Sequence, residues 1–138
     1  MAEDVSNHLF HDPAWPIERF VWGVFVVRGD EHGDTGAGSV GVGRDIRIIG
    51  SKVKRWKERK GHRLKKPMIA CVYGRDIEIL VIGTGVNGAV EVPDKVIRAA
   101  TAHGIARVIV QRTPDACQTY NRLFHEGARV ALLAHGTC

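Results

Sequence analysis

The chain has 138 residues, of which 44% are hydrophobic and 25% are charged, with a net charge of +5 at pH 7. This is the size and composition of one globular domain with a single core, which excludes a disordered chain. Apolar runs such as Val21 to Val27 are far shorter than the roughly 20 residues of a membrane-crossing helix. Residues 1–16 carry acids and neither the basic nor the apolar region of a signal peptide.

The cysteines are Cys71, Cys117 and Cys138, an odd number at wide spacing. This pattern favours free thiols over a disulfide framework. With no membrane segment and no signal peptide, the sequence predicts a cytoplasmic protein.

The positive charge is concentrated in the basic segment, which we define as residues 52–66. It holds nine Lys or Arg and one acid, Glu58, whereas the rest of the chain carries a net charge of −3. Any binding of anions is therefore expected at this one place. Its basic residues are Lys52, Lys54, Arg55, Lys57, Arg59, Lys60, Arg63, Lys65 and Lys66.

The first half of the chain has few regular patterns. Residues 1–19 have no periodicity and are predicted to form an N-terminal arm, followed by a single domain over residues 20–138. Residues 20–27 are apolar and β-branched, which predicts a strand. Six glycines in residues 29–43 indicate a long loop or a loose hairpin, whose role stays open. Gly50-Ser51 is expected to join two short strands.

The second half alternates between strands and helices. Strands are predicted at residues 77–82, 107–111 and 129–133. A helix should begin at Pro93-Asp94 and end at Gly104, and a second should run from Thr113, as its hydroxyl cap, to Gly127. Helical crossovers of this kind favour parallel strands.

Ligands in open α/β sheets bind at the carboxyl ends of the strands. Three segments should meet at that edge: the Gly83 loop, the Arg112-Thr113 turn and the tail around His135. The candidate ligand-binding residues are Gly83, Thr84, Gly85, Asn87, Gly88, Arg112, Thr113, Asn121 and His135.

Residues 83–88 match the G-x-G-x-x-G pattern of dinucleotide-binding loops. The expected helix does not begin within these glycines, however, and the next strand ends in Gln111 where a ribose-binding acid should stand. The pattern therefore favours a tight turn, with binding of a small anion as the functional alternative.

No complete catalytic or metal-binding motif is present, and neither HExxH nor CxxC spacing occurs. A Cys/His nucleophile built from Cys138 and His135 has no evident orienting group in the sequence. Cys117 is expected to point into the core. We therefore predict no catalytic residue, no metal and no cofactor.

A series of short motifs resembles one known family. They are Val81-Ile82-Gly83-Thr84-Gly85, Val92-Pro93, Thr113-Pro114-Asp115-Ala116-Cys117, Tyr120-Asn121-Arg122-Leu123, Glu126-Gly127 and the closing His135-Gly136-Thr137-Cys138. In this order the chain resembles the adipogenesis-associated Mth-domain family, founded by an archaeal hypothetical protein and including a mitochondrial complex I assembly factor. The resemblance implies a three-layer α/β fold around a mixed, mostly parallel sheet of about five strands, with an N-terminal β-hairpin region.

The resemblance implies no established enzymatic activity. The leading hypothesis is a non-catalytic binding or assembly factor with a protein partner, and a homo-oligomer is also open. The first alternative is an enzyme or anion-binding module that uses the Gly83–Gly88 loop. The second is weak nucleic-acid binding through the basic segment, with Trp56 stacking on a base; Trp56 is expected instead to pack beneath the sheet.

Overall fold

The computed structural model describes residues 8–33 and 45–138. Within these ranges the helices are a 3-10 helix (Lys66–Val72), α1 (Asp94–Ala102) and α2 (Thr113–His125). The strands are β1 (Phe10–His11), β2 (Ile17–Val21), β3 (Val24–Val27), β4 (Asp30–Gly33), β5 (Ile46–Ile49), β6 (Lys52–Arg55), β7 (Ile79–Gly83), β8 (Arg107–Gln111) and β9 (Val130–Ala134).

The larger sheet has five strands in the order β6-β5-β9-β7-β8. Strands β8, β7 and β9 are mutually parallel, as the alternation of strands and helices predicts. Strands β5 and β6 are antiparallel because the two-residue turn at Gly50, with φ +61°, allows only a hairpin, and β5 also pairs antiparallel with β9. The α/β fold and the five-stranded mixed sheet are confirmed, but "mostly parallel" is wrong, since two of its four pairings are antiparallel.

The second sheet is antiparallel, with the order β1-β2-β3-β4. It includes β1 and the first residues of β2, which lie within the predicted N-terminal arm. The single strand predicted for residues 20–27 is wrong. Gly23, with φ +78°, turns the chain at Trp22-Gly23 and makes a hairpin of β2 and β3.

The segment predicted as a loop or loose hairpin at residues 29–43 begins as a hairpin strand. Its first residues form β4, which pairs with β3 despite its polar composition. The remainder of this predicted loop, from residue 34 onward, lies outside the described residues.

The five-stranded sheet is covered on both faces. Along β7, Val81 faces α2 and the second sheet, whereas Leu80 and Ile82 face α1 and the 3-10 helix. This alternation follows from the two-residue period of a strand. Tyr120 of α2 and Val96 of α1 are buried on their respective faces, so the described residues cover the sheet on both sides.

Both predicted helices are present with nearly the predicted bounds. Helix α1 begins after Pro93 and carries Asp94 in its first turn, and α2 has Pro114 in its first turn, as expected of helix starts. Gly104 and Gly127 follow their ends with positive φ. None of the helices within the described ranges has the length and apolarity that a bilayer crossing demands.

Asn121, a predicted ligand-binding residue, connects α2 to the second sheet. Its side chain accepts a hydrogen bond from the Ile17 N–H at 3.0 Å and donates one to the Ile17 carbonyl at 2.8 Å. It also donates to the Asp12 carboxylate at 3.1 Å. The amide therefore replaces a strand partner for β2 and fixes the second sheet against α2.

We expect Asn121→Ala to lower the free energy of unfolding by about 2–4 kcal/mol, because both polar groups of buried Ile17 lose their partner. Gln118→Ala, on the exposed side of the same helix, should stay within about 0.5 kcal/mol of the wild type. Urea unfolding measures both variants. Equal, small effects would contradict the role of Asn121.

Candidate functional site

The loops that follow β7, β8 and β9 meet at the carboxyl edge of the sheet, as the parallel topology predicts. The Gly85 N–H donates to the Thr113 hydroxyl at 2.8 Å, and this hydroxyl donates to the His135 carbonyl at 2.7 Å. Thr113 therefore joins the three loops. It does not cap α2 as predicted, since Arg112 is the N-cap residue.

The glycine loop after β7 binds the tail of the same chain. The Val86 N–H donates to the Thr137 carbonyl at 2.7 Å, and the Asn87 and Ala89 N–H groups donate to the main-chain oxygen of Cys138, both at 3.1 Å. These amides are thus occupied by protein oxygens. Binding of a ligand by the Gly83–Gly88 loop stays a prediction.

The other predicted ligand-binding residues divide between two places. Arg112 lies beside Gly88 at the carboxyl edge. Asn121 instead contacts β2. The predicted set therefore does not converge on one point.

The basic segment is divided over three places rather than forming one surface. Lys52 and Lys54 border a hollow beside Arg75, and Arg63, Lys65 and Lys66 border another beside Lys95. Arg63 is also paired with the Glu91 carboxylate at 2.9 Å. The third group lines the cavity described next.

A cavity of about 310 Å³, which we call the basic cavity, lies between the segment after β6 and the tail after β9. Three of its lining residues are basic, and Asp45 is its one acid. Trp56, also at its wall, is 1% exposed, and its indole N–H donates to the Met68 carbonyl at 2.8 Å. The lining residues are Asp45, Arg55, Trp56, Lys57, Arg59, His62, His135, Thr137 and Cys138.

Asp45 and His135 form a buried pair at the base of the basic cavity. The β5–β9 register places Ile46 opposite Ala134, so the preceding Asp45 lies beside the following His135. One Asp45 oxygen lies 2.8 Å from His135 Nδ1 and accepts the Gly136 N–H at 3.0 Å, and the other pairs with Arg59.

These contacts decide the charge of Asp45. Burial by itself raises the pKa of this carboxyl group, but hydrogen bonds from His135, Arg59 and Gly136 outweigh burial and hold the pKa below its ordinary value. Asp45 is therefore an ionised carboxylate that orients the His135 ring.

The other nitrogen of His135 faces a thiol. Its Nε2 atom lies 3.6 Å from Cys138 Sγ, and His62 Nε2 lies 3.4 Å from the same sulfur. Asp45 is thus the orienting group that the sequence did not reveal for a Cys/His pair. The H-x-x-C spacing of the tail was the local signal, but Asp45 and His62 join it only through the fold.

The remaining cysteines are unsuited to chemistry. Burial raises the pKa of the Cys117 thiol far above its ordinary value and, to a lesser degree, that of Cys71. Cys117 is fully buried in the core beneath α2, as predicted. All three cysteines are free thiols.

A family model described as "Protein of unknown function (DUF498/DUF598)" matches residues 17–135. The chain belongs to this family. The family resemblance inferred from the short motifs is thereby confirmed, and a solved Bordetella pertussis protein described as an Mth938-like domain has the same fold. It is 18% identical with a TM-score of 0.59, covering 99% of this chain and 90% of its own.

Two further proteins share the fold or part of the sequence. An outer membrane protein from Bartonella henselae is 24% identical with a TM-score of 0.70, covering 89% of this chain and 95% of its own. "NADH dehydrogenase [ubiquinone] 1 alpha subcomplex assembly factor 3" from mouse is 51% identical over 51 residues, which are 37% of this chain. The chain spans about a quarter of that relative's length, since the match covers 26% of it.

We expect Gly85→Ala to destabilise the carboxyl edge. A Cβ atom at Gly85 would lie 2.4 Å from the main-chain carbon of Cys138, whereas one at Gly104 would meet nothing within 4 Å. Both glycines have positive φ, +105° and +90°, so both substitutions bear the same conformational cost.

The difference between the two variants therefore measures the contact with the tail. Gly85→Ala should exceed Gly104→Ala by about 1–3 kcal/mol in free energy of unfolding, as overpacking does. Urea unfolding of both proteins is the measurement. Equal losses would show that the loop does not hold the tail.

Proposed function

We propose that this protein binds an acidic segment of a partner protein in the basic cavity and acts in assembly rather than catalysis. The observation that supports this proposal is the charge of the cavity: among the described residues that line it, Arg55, Lys57 and Arg59 stand against one acidic side chain, Asp45. Asp45 is already paired with Arg59 and His135. The cavity therefore keeps a net positive charge that attracts carboxylates.

Arg55 and Lys57 supply the free charge. Across residues 8–33 and 45–138, neither side chain has a carboxylate within ion-pair distance, in contrast to Arg59 and Arg63. An acidic side chain that enters the cavity can pair with both. The cavity is also of a size that takes one or two side chains rather than a whole domain.

The comparisons support a protein partner. The mouse and rat relatives are named as assembly factors, and about half of the aligned positions are identical. Because the match covers only 51 residues, the assembly role is proposed from the cavity together with this likeness. The partner of this chain is identified only by its acidic chemistry.

The two alternatives receive less support. A nucleic acid would use adjoining cations and a stacking ring, but the cations are divided over three places and Trp56 is buried. A phosphate-binding loop would use the amides of Val86 and Asn87, which bind the chain's own tail.

We expect Arg55→Glu/Lys57→Glu to abolish partner binding. The exchange places carboxylates where the partner's carboxylates should lie, so capture from native lysate at moderate salt should fall at least about tenfold. Crosslinks from wild-type protein should join cavity residues to an acidic stretch of the captured partner. Quantitative mass spectrometry measures both.

Lys65→Glu/Lys66→Glu is the matched control. It makes the same change of charge on exposed residues of the same basic segment, outside the cavity. Capture by this variant should equal that of the wild type. An equal loss of capture in both variants would show that the basic segment attracts partners only through its overall charge, and not through the cavity. Capture of a nucleic acid in place of a protein would favour the nucleic-acid alternative.

A further inference from the structure

Three potential metal ligands face one another at the wall of the basic cavity. They are His62 Nε2, His135 Nε2 and Cys138 Sγ, and one ligand atom from each residue lies within 4.8 Å of the other two. The residues come from two segments that are far apart in the chain. Neither segment carries a metal-binding motif by itself.

The distances fit a tetrahedral zinc ion. With Zn–N bonds of roughly 2.0–2.1 Å and a Zn–S bond of about 2.3 Å, sulfur and nitrogen stand about 3.6 Å apart. The observed separations of Cys138 Sγ are 3.4 Å from His62 and 3.6 Å from His135. The two nitrogens must approach to roughly 3.3 Å, and the exposed His62 ring is free to turn toward the ion.

His135 is already oriented as a ligand. The Asp45 carboxylate accepts a hydrogen bond from Nδ1 of His135 at 2.8 Å, so Nδ1 carries a proton and Nε2 faces the sulfur. Histidines that bind metals generally donate their second nitrogen to a carboxylate in this way. The Thr137 hydroxyl, 3.2 Å from Nε2, must rotate away when an ion binds.

We propose that His62, His135 and Cys138 bind one zinc ion whose fourth coordination position opens into the basic cavity. Two imidazoles and a thiolate suit zinc, whereas calcium and magnesium require oxygen ligands. The zinc site goes beyond the binding of an acidic partner and does not depend on it.

The surrounding charges decide the fourth ligand. Arg55 and Lys57 line the same cavity and oppose a cation. The Cys138 thiolate removes one of the two positive charges of zinc, and an anion in the fourth position removes the other. A carboxylate therefore suits the open position better than a neutral ligand does.

Cobalt(II) is the probe for this site, because it replaces zinc and is coloured. Metal-free, reduced protein titrated with cobalt should bind one ion per chain. The spectrum should show intense visible bands of a four-coordinate ion and a near-ultraviolet band from thiolate to cobalt. Added zinc should remove both features, and native mass spectrometry should show one zinc per chain.

Two variants with matched controls assign the ligands. Cys138→Ser should lose the thiolate band, whereas Cys71→Ser, another half-buried thiol, should keep it. His62→Gln should weaken zinc binding at least about tenfold, since even groups that support metal ligands contribute 10–100-fold. His103→Gln, at an exposed histidine outside the cluster, should leave the affinity for zinc unchanged. Circular dichroism confirms that each variant is folded.

Alkylation provides an independent measurement. Zinc should slow the reaction of iodoacetamide with Cys138 and leave that with Cys71 unchanged. A wild-type protein without a thiolate band at excess cobalt, or alkylation of Cys138 at the same rate with and without zinc, would overturn the proposal. Retention of the band in Cys138→Ser would likewise overturn it.

Discussion

The antiparallel pairing of β5 with β9 is the constraint on which the site depends. It attaches the β5–β6 hairpin to the parallel strands and sets Ile46 opposite Ala134. This register alone brings Asp45 beside His135. A slip of one residue would turn every buried side chain of β5 to the wrong face, so burial of Ile46 and Ile48 fixes the register strongly. The core of the sheet therefore determines the geometry of the polar pair at its edge.

The carboxyl edge is held together by hydrogen bonds and borders the basic cavity. Thr113 joins three loops, and the glycine loop holds the oxygens of the tail. These contacts hold His135 and Cys138 in place at one wall of the basic cavity. The other wall comes from the segment after β6, where the His62 carbonyl accepts a hydrogen bond from the Glu91 N–H at 2.7 Å. The basic cavity thus lies between two walls that are each held by main-chain bonds.

Much of the fold follows from the sequence, because the local signals in its second half agree with the elements that form there. Proline near helix starts, glycine after helix ends and β-branched runs place β7, α1, β8 and α2 within a few residues of the structure. The first half was less predictable. Residues 20–27 are apolar throughout, and only the positive φ of Gly23 reveals the hairpin. Strand β4 is polar and forms because β3 offers it an edge.

The candidate site was predictable only in part. Parallel strands bring Thr84, Thr113 and His135 to one edge, and this much follows from the alternation of elements. The residues of the site cannot be found in this way, because Asp45, His62 and Cys138 have no common spacing. Asn121 shows the reverse: a polar residue that resembles a binding group serves as a substitute strand partner for Ile17.

Strand β9 lies between β5 and β7, in the middle of the larger sheet, although it follows all the other described strands in sequence. During synthesis on the ribosome, β5, which follows Asp45, and β7, which precedes the glycine loop, therefore each keep one edge unpaired until β9 has been made. Only the arrival of β9 unites them, and the residues that follow it then complete the cavity. Formation of the polar site is consequently coupled to the final step in closing the sheet, so a nascent or unfinished chain has no preformed cavity to offer.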